Sequence, residues 1–478
     1  MNPPDNDIQI PSRLLKAARL FPSTAGAFLV GGCVRDLLAD RQPADYDLAV
    51  SGQPEAYARQ LADKHGGRPV AIGPARHRLF RIVAFDRVFD ISPLVGDSIE
   101  TDLKSRDFTI NAMAFDLAGQ ALIDPEDGLA DLKNQIIKMV APDAFINDPL
   151  RQLRAFRLAA QFQYRIEAQT RLAIKTSAGL IKTCAGERIR AELLKLLMFP
   201  GTADTLAQMV DSGLLFEIIP ELTPLKDCRQ NAHHNFDAWT HTLAACRQLE
   251  AFIDPVNLNE NRAMIRRTAA QLKDQSRAAL LKLALLLHDI GKPATRSTDA
   301  KGQIHFYGHG HRGVKIATEI CRRLKCSRHE TDYISGIIKN HNRPLFLFLL
   351  HTENRLSDRA VTRFYIQCGG MTPDILLHAA ADSAGKRDTP ETDLSDFTSF
   401  IETLLGRYVD THTRRAAGPA LLTGHDLITA FGLSPSPLFK KLLTQVETAR
   451  LAGEISKKRQ ALDLVRRLLD RNDRPPRA

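Results

Sequence analysis

The feature that most constrains this chain is a change of periodicity near Lys138. Before it, short apolar runs alternate with turn residues. Ala27–Val30 runs into Gly31-Gly32, Tyr46–Val50 follows a pair of acids, and Leu79–Phe85 and Val88–Ile91 flank an Asp86-Arg87 turn. Runs of this length bounded by turn signals predict strands, and Phe108–Phe115 predicts a further strand or helix. After Lys138, apolar residues recur three and four apart in Leu150–Phe162, Arg188–Met198, Thr202–Ser212 and Trp239–Phe252. That spacing predicts helices with one buried face, and helix is expected through Leu469. The fold class is therefore α+β, a mixed head followed by an all-α body. Asp254–Gln275 is expected to hold a surface loop, Asp388–Ser395 a linker, and Arg466–Ala478 a frayed basic tail.

Composition narrows the function classes. A length of 478 residues suggests about three domains. With 44% hydrophobic and 25% charged residues, disordered, collagenous and disulfide-scaffold proteins are excluded. The seven cysteines are scattered without a Cys-x-x-Cys pair, which predicts reduced thiols and a cytoplasmic protein. No apolar run approaches a membrane span and Met1–Ile10 lacks a signal pattern, so no membrane partner is expected. A net charge of +10 favours a polyanionic partner. At 6% aromatic residues, a broad base-stacking platform is not expected.

The chemistry-bearing residues of the head come in a fixed order. Gly31-Gly32 after a strand lets backbone N–H groups approach phosphate. Asp45 and Asp47 lie at i and i+2, on one strand face, where two carboxylates repel unless cations sit between them. Magnesium takes oxygen ligands of this kind and bridges to substrate phosphates, and two such ions can activate a hydroxyl and stabilise a leaving phosphate. Alone, Asp-x-Asp is more often a solvated turn. Asp90, on a later strand, is a candidate third ligand. Arg106, Asp107 and Asn111 offer phosphate and ribose partners. Asp148 and Pro149 read equally as a helix start, yet Asp148 and Arg151 share a face. An Asp accepting from an exocyclic amine beside an Arg donating to a ring acceptor fits cytosine and adenine but not guanine or uracil. Arg154 and Arg157 continue the basic stripe.

In order and spacing, Gly31-Gly32 through Arg157 resembles the class II tRNA nucleotidyltransferase and bacterial poly(A) polymerase family, within the polymerase-beta-like superfamily. The likeness covers Phe28–Leu197, with Glu187-Arg188-Ile-Arg190-Ala-Glu192-Leu193 matching a further family motif. The resemblance implies a magnesium-dependent enzyme that uses CTP and ATP to extend the 3′ end of tRNA without a nucleic-acid template. It implies Asp45 and Asp47 as metal ligands with Asp90 beside them, and Gly31, Gly32 and Arg35 at the triphosphate. Arg106, Asp107 and Asn111 fall to the incoming nucleotide, Asp148 and Arg151 to selection of C and A, and Arg154 and Arg157 to support of that site. The chain departs from the family at Ser105, where many members have Arg, and at Asn147, where Glu is usual. Only Ile91–Ser105 separates Asp90 from the Arg-Asp motif, where many CCA-adding members carry a longer flexible loop. CC-only addition is therefore an alternative, beside A-only and poly(A) synthesis.

A second constellation follows. An apolar helix over Leu281–Leu287 ends in His288-Asp289, a pair able to ligate a divalent metal. The order His241, His288-Asp289, His309, His341, Asp382 resembles the HD phosphohydrolase superfamily. That resemblance implies His241, His288, Asp289 and Asp382 as core ligands of a divalent metal, with His309 and His341 extending the site to a second ion, and hydrolysis of a phosphoester. An HD phosphohydrolase with an RNA-binding head is thus an alternative of another class. His233, His234 and His311 are expected at the surface. The expected division is a nucleotidyltransferase head over 1–138, a helical neck over 139–225, an HD domain over 226–387 and a tRNA-binding helical region over 388–478. In that last region Lys440, Lys441, Lys457, Lys458, Arg459, Arg466 and Arg467 are candidates for the RNA backbone.

Overall fold

A computed structural model describes residues 11–73, 78–84, 87–229, 237–253, 262–272, 275–386 and 395–472. The chain forms two compact units: Met1–Leu196 with Gln208–Ile218, and Leu197–Ala207 with Ile219–Ala478.

The first unit is built on a seven-stranded sheet. Its strands are β1 (Ala27–Val30), β2 (Asp45–Val50), β3 (Val70–Ile72), β4 (Leu79–Ala84), β5 (Arg87–Pro93), β6 (Ala114–Asp116) and β7 (Leu122–Ile123). Their order is β3-β4-β5-β2-β1-β6-β7. Only β2 and β5 pair in parallel; the remaining neighbours are antiparallel. A parallel neighbour requires a crossover, and here the helix Pro54–His65 with β3 and β4 supplies it. Alternation along β2 and β5 does the positioning. Tyr46 and Phe89 are buried at 3% and 2% exposure, and their rings stack at 5.6 Å beside Phe21. Asp45, Asp47 and Asp90 therefore take the opposite face. Burying rings of this size contributes roughly 1.5–3 kcal/mol each, and a one-residue slip would invert every side chain. The core thus fixes which face carries the acids.

Phe108–Phe115 resolves into a short 3-10 turn, Thr109–Asn111, and then β6. The helix Leu150–Phe162 follows Pro149, with Asp148 one residue further out, extended, and accepting from the Leu150 N–H at 3.3 Å. The helix ends at Gln163 in the left-handed region, with φ 58°.

The second unit is mainly helical. The helix Gln275–Leu287 is its axis; Leu281 and Leu283–Leu287 are all within 2% of full burial. Among these residues Lys282 is also buried, and its ammonium donates to Phe199 O, Thr202 Oγ1 and Glu250 Oε1 at 2.7–2.9 Å. The same Glu250 oxygen accepts from Thr202 N, so the ion pair ties the start of one helix to two others.

The body is largely helical, as expected; within it Ser297–Thr298 and Ile304–His305 pair as a small hairpin, and Ile136–Ile137 pairs with Arg165–Ile166. Two expectations are corrected. Ala263–Gln271, expected within a loop, is helical, buries Ile265 and Ala269, and has its first turn capped by Glu402, which accepts from Met264 and Ile265 N–H. Arg466–Asn472, expected to fray, continues the helix Lys458–Asn472, whose Ala461 and Val465 join a C-terminal core with Leu427, Leu442 and Val446. The Asp86 turn residue, the polar stretch 254–261, the linker over 388–394, and His233 and His234 lie outside the described residues. Among the described residues no helix is long and apolar enough to cross a membrane.

Removing one partner of a buried pair strands the other charge, at a cost of about 3 kcal/mol or more. Lys282→Ala should therefore lower the urea midpoint of the second unit clearly, and Glu250→Gln should do so less. An unchanged midpoint for Lys282→Ala would show that this network carries no stability.

Candidate functional site

The parallel register sets Asp47 opposite Asp90, and the antiparallel register sets Asp90 opposite Arg81. Asp45 and Asp47 share that face. The result is a row of acids that the fold itself crowds. Burial, then repulsion from Asp45 and Asp90, raises the Asp47 carboxyl to about 6. A donor set of hard carboxylate oxygens, costly to leave as anions without a cation, fits a divalent metal.

Beside this row the chain turns at Gly31, whose φ of 73° favours glycine. A Cβ there would lie 2.7 Å from Arg106 Nη1, so the same turn needs glycine for space as well. Arg106 is held by its other nitrogens: Nε and Nη2 donate to Asp102 Oδ1 at 2.9 and 2.7 Å. Asp102 is buried and also accepts from Val95 N at 3.0 Å. Arg35 is buried, donates to Asp36 and to Asn111 Oδ1, and lies with its guanidinium 4.5 Å from the centre of the Phe162 ring. Asp107 accepts from Phe108 N, Asn111 Nδ2 and Arg154. Burial works against its charge, but Arg154 and these donors outweigh burial and lower its pKa.

On the helix Leu150–Phe162, Arg151 donates to Ser105 O at 2.8 Å and Arg106 O at 3.2 Å. Asp148 pairs with Arg188 at 3.0 Å. Arg154 and Arg157 do not form a free basic stripe: Arg157 donates to Glu192 at 2.6 Å, and Arg154 lies between Asp107 and Glu192. Arg35, Asn111, Asp107, Arg154 and Arg157 thus form one chain of contacts, closed through Glu192, and Arg151 meets Arg106. The structure adds Arg81, Asp36, Asp102, Arg188 and Glu192 as partners. Asp102 had a signal, four residues before Arg106 on a helix; Arg81 had one only through strand register.

The second unit gathers the expected histidines and acids. His241 comes from the helix Ala238–Ile253, His288-Asp289 from the end of Gln275–Leu287, His309 from the start of His309–Arg323, His341 from just after Arg328–Asn340, and Asp382 from Thr372–Ala384. Two groups converge, His241 with His288 and Asp382, and Asp289 with His309 and His341, the ligand atoms of each lying within 4.8 Å of one another. Three imidazoles are oriented alike: Nδ1 of His288, His309 and His341 each meets the carbonyl three residues back at 2.7–2.8 Å. That contact fixes the tautomer and leaves Nε2 as the ligand atom. His288 Nε2 lies 3.2 Å from Asp289 and 3.3 Å from Asp382, yet it is buried without an aligned hydrogen-bond partner. Buried polar atoms left in this state suit a metal ion. Burial opposes charge on His288, but Asp289 and Asp382 override it and raise its pKa to about 10. Lys292 lies 2.6 Å from Asp289, and Lys386 lies 3.5 Å from Asp382. A cavity of about 230 Å³ opens onto this centre. His378 was not foreseen; it is buried one turn before Asp382, against the rings of His288 and His341. His311 is exposed, as expected.

Comparison with known proteins agrees with this division. Residues 27–138 match the Poly A polymerase head domain, 163–226 the probable RNA and SrmB-binding site of polymerase A, and 262–362 the HD domain. His241 and Asp382 lie outside the last match and join it in space. The chain is 32% identical over 454 residues to an A-adding tRNA nucleotidyltransferase of Deinococcus radiodurans, covering 93% of this chain and 96% of that protein. It is 31% identical to a CC-adding tRNA nucleotidyltransferase of Synechocystis, covering 92% and 93%. The fold is shared with the Thermotoga maritima CCA-adding enzyme solved with tRNA, at a TM-score of 0.61, 20% identity and 96% coverage of both chains. With relatives above 30% identity along nearly its whole length, a head that carries its acids on one sheet face, and an HD domain following it in the chain, this chain belongs to the tRNA nucleotidyltransferase family.

Proposed function

We propose that the chain adds C and A to the 3′ end of tRNA, with CTP and ATP as donors and CCA as the product. The observation that carries this reading is the row Asp45, Asp47 and Asp90 placed on one sheet face beside the Gly31 turn and Arg106. In the proposed division of labour, residues 1–138 hold the reaction, 139–225 select the nucleotide, 226–387 form the HD domain and 388–478 hold tRNA.

Asp45 and Asp47, with Asp90, are the groups that would hold magnesium. Bound there, magnesium would supply a lower pKa for an attacking hydroxyl and neutralisation of developing phosphate charge. The chain's own residues do the rest. The Gly31-Gly32 backbone lets a triphosphate approach closely, and Arg106 offers Nη1 to it while Asp102 fixes the other two nitrogens. Arg35 and Asn111 hold each other for the sugar and phosphates. Asp148 accepts from an amine and Arg151 donates to a ring acceptor. Arg154 and Arg157, tied to Asp107 and Glu192, keep the helix in place beneath them.

A second reading, arrest after CC, is favoured by one feature. The connection from β5 to the helix Ile99–Lys104 is only Leu94–Ser98, and Val95 N is bonded to Asp102. Both relatives above bear names of partial activities, so the stop point is what the experiment reads. Transcripts ending before CCA, after C and after CC, incubated with CTP, ATP or both, separate the products at single-nucleotide resolution. Complete CCA on all three upholds the proposal; a stop at CC selects the second reading; no addition overturns both. Asp45→Ala with Asp47→Ala should abolish addition and leave tRNA affinity largely intact.

Arg151→Ala should relax the preference for C and A over G and U by about tenfold or more, the worth of a lost charged hydrogen bond. Unchanged selectivity would reduce Arg151 to a structural tie to Ser105 and Arg106.

For the second centre we propose a divalent metal held by His241, His288, Asp289 and Asp382, with His309 and His341 serving a second ion. Its chemistry is phosphoester hydrolysis, with Lys292 and Lys386 as the nearby cations. His288→Ala with Asp289→Ala should cut metal content measured by mass spectrometry and remove phosphoesterase activity, while nucleotide addition persists. Loss of addition in a folded variant would overturn the independence of the two centres.

A further inference from the structure

The carboxylate row has a cation on one flank that this account leaves without a task. Arg81 stands directly across from Asp90, its Nε 2.8 Å from Oδ1 and its Nη2 2.6 Å from Oδ2. Its charge also reaches Asp45 and Asp47. The Arg81 side chain is 44% exposed. A half-exposed ion pair contributes about 0–1 kcal/mol, so stability is a poor reason for it.

Sheet order gives the flank a direction. Across the sheet run β4 with Arg81, β5 with Asp90, β2 with Asp45 and Asp47, and β1, which leads into Gly31 and Gly32. The phosphate-binding turn and Arg106 therefore lie on the β1 side of the acids, and Arg81 lies on the other. Phosphoryl transfer is in-line: the attacking oxygen and the leaving pyrophosphate sit on opposite sides of the phosphorus. With pyrophosphate leaving on the β1 side, the RNA 3′ end must come in on the side of β5 and β4.

We propose that Arg81 is the acceptor-side anchor, gripping the last phosphodiester of the RNA 3′ end. A guanidinium fork fits a carboxylate and a phosphate equally well. Asp90 occupies the fork here. A divalent ion held by Asp90 would compete for the same oxygens and leave the Arg81 fork to RNA. The inference rests on the nucleotidyl-transfer reading above and adds to it the residue that meets the acceptor.

The test uses the full chain, with Arg81→Ala and Arg81→Lys, and two measurements. In steady-state CTP addition to a transcript lacking CCA, Arg81→Ala should raise KM for RNA about tenfold, more than it lowers kcat or alters KM for CTP; Arg81→Lys should recover part of the loss. In fluorescence anisotropy with calcium and no nucleotide, the slope of log affinity against log salt should become shallower by about 0.7, the share of one phosphate contact on single-stranded RNA. A fall in kcat alone with unchanged RNA affinity would make Arg81 only an orienting partner of Asp90 and overturn the proposal, as would an unchanged variant. If the wild-type chain adds nothing, the transfer reading fails instead, and the anisotropy slope still decides whether Arg81 meets RNA.

Discussion

The parallel pairing of β2 with β5 is the constraint on which the head depends. It places Asp47 beside Asp90 while Tyr46 and Phe89 bury on the reverse face. The two consequences cannot be separated, because side chains alternate along both strands. Burial of the rings drives a pairing that the carboxylates resist. The resistance appears in Asp47, which burial and its two neighbours raise to about 6. The apolar core thus holds in place an arrangement that electrostatics alone would disperse. A site held in this way is already shaped for cations, so little reorganisation remains when they bind. Of the flanking cations, Arg81 follows from the register, on the antiparallel partner of β5, whereas Arg106 is fixed separately by Asp102.

The second centre solves the same problem by other means. Its ligands come from separate helices, so no single register can align them. Each of three imidazoles is instead oriented locally, by a carbonyl three residues earlier on its own segment. The helices then need only bring pre-aimed Nε2 atoms together. The apolar run Leu281–Leu287 anchors His288-Asp289 at the end of a helix buried from Ala278 onward. This explains why the pair is almost inaccessible while His309 and Lys386 remain nearer the mouth of the cavity.

Much of this was legible in the sequence, where the signal is local. Asp45-Tyr46-Asp47 carries both its chemistry and its alternation in three residues, and His288-Asp289 lies at the end of an unmistakable apolar run. What escaped reading depends on residues distant in the chain. Arg81 becomes meaningful only through its register with Asp90. Arg154 and Arg157 looked like a basic stripe because Asp107 and Glu192, which neutralise them, lie 47 and 35 residues away. Ala263–Gln271 looked like loop because its polar residues outnumber the few positions it buries. The hairpin Ser297–Thr298 with Ile304–His305 is too short to show a period. His378 sits in an alanine-rich helix, where one histidine gives no hint that it faces two others.

The geometry around Asp148 and Arg151 bears on how a protein can replace a template strand. Neither side chain waits with unsatisfied groups: Asp148 meets Arg188, and Arg151 meets the carbonyls of Ser105 and Arg106. In the proposed role, a base that enters would compete with these contacts. Cytosine and adenine, with an amine beside a ring acceptor, can give each of the two side chains a partner of the right polarity. Guanine and uracil set an acceptor against the carboxylate and a donor against the guanidinium, so both protein groups would lose a partner and gain repulsion. In the proposed role of this pair, discrimination would come less from how well C and A bind than from what G and U leave unpaired, which is the stronger lever in sites built of polar groups. In that role the same pair could serve two bases of different size, since the contacts would lie on one edge and place no demand on the second ring of adenine.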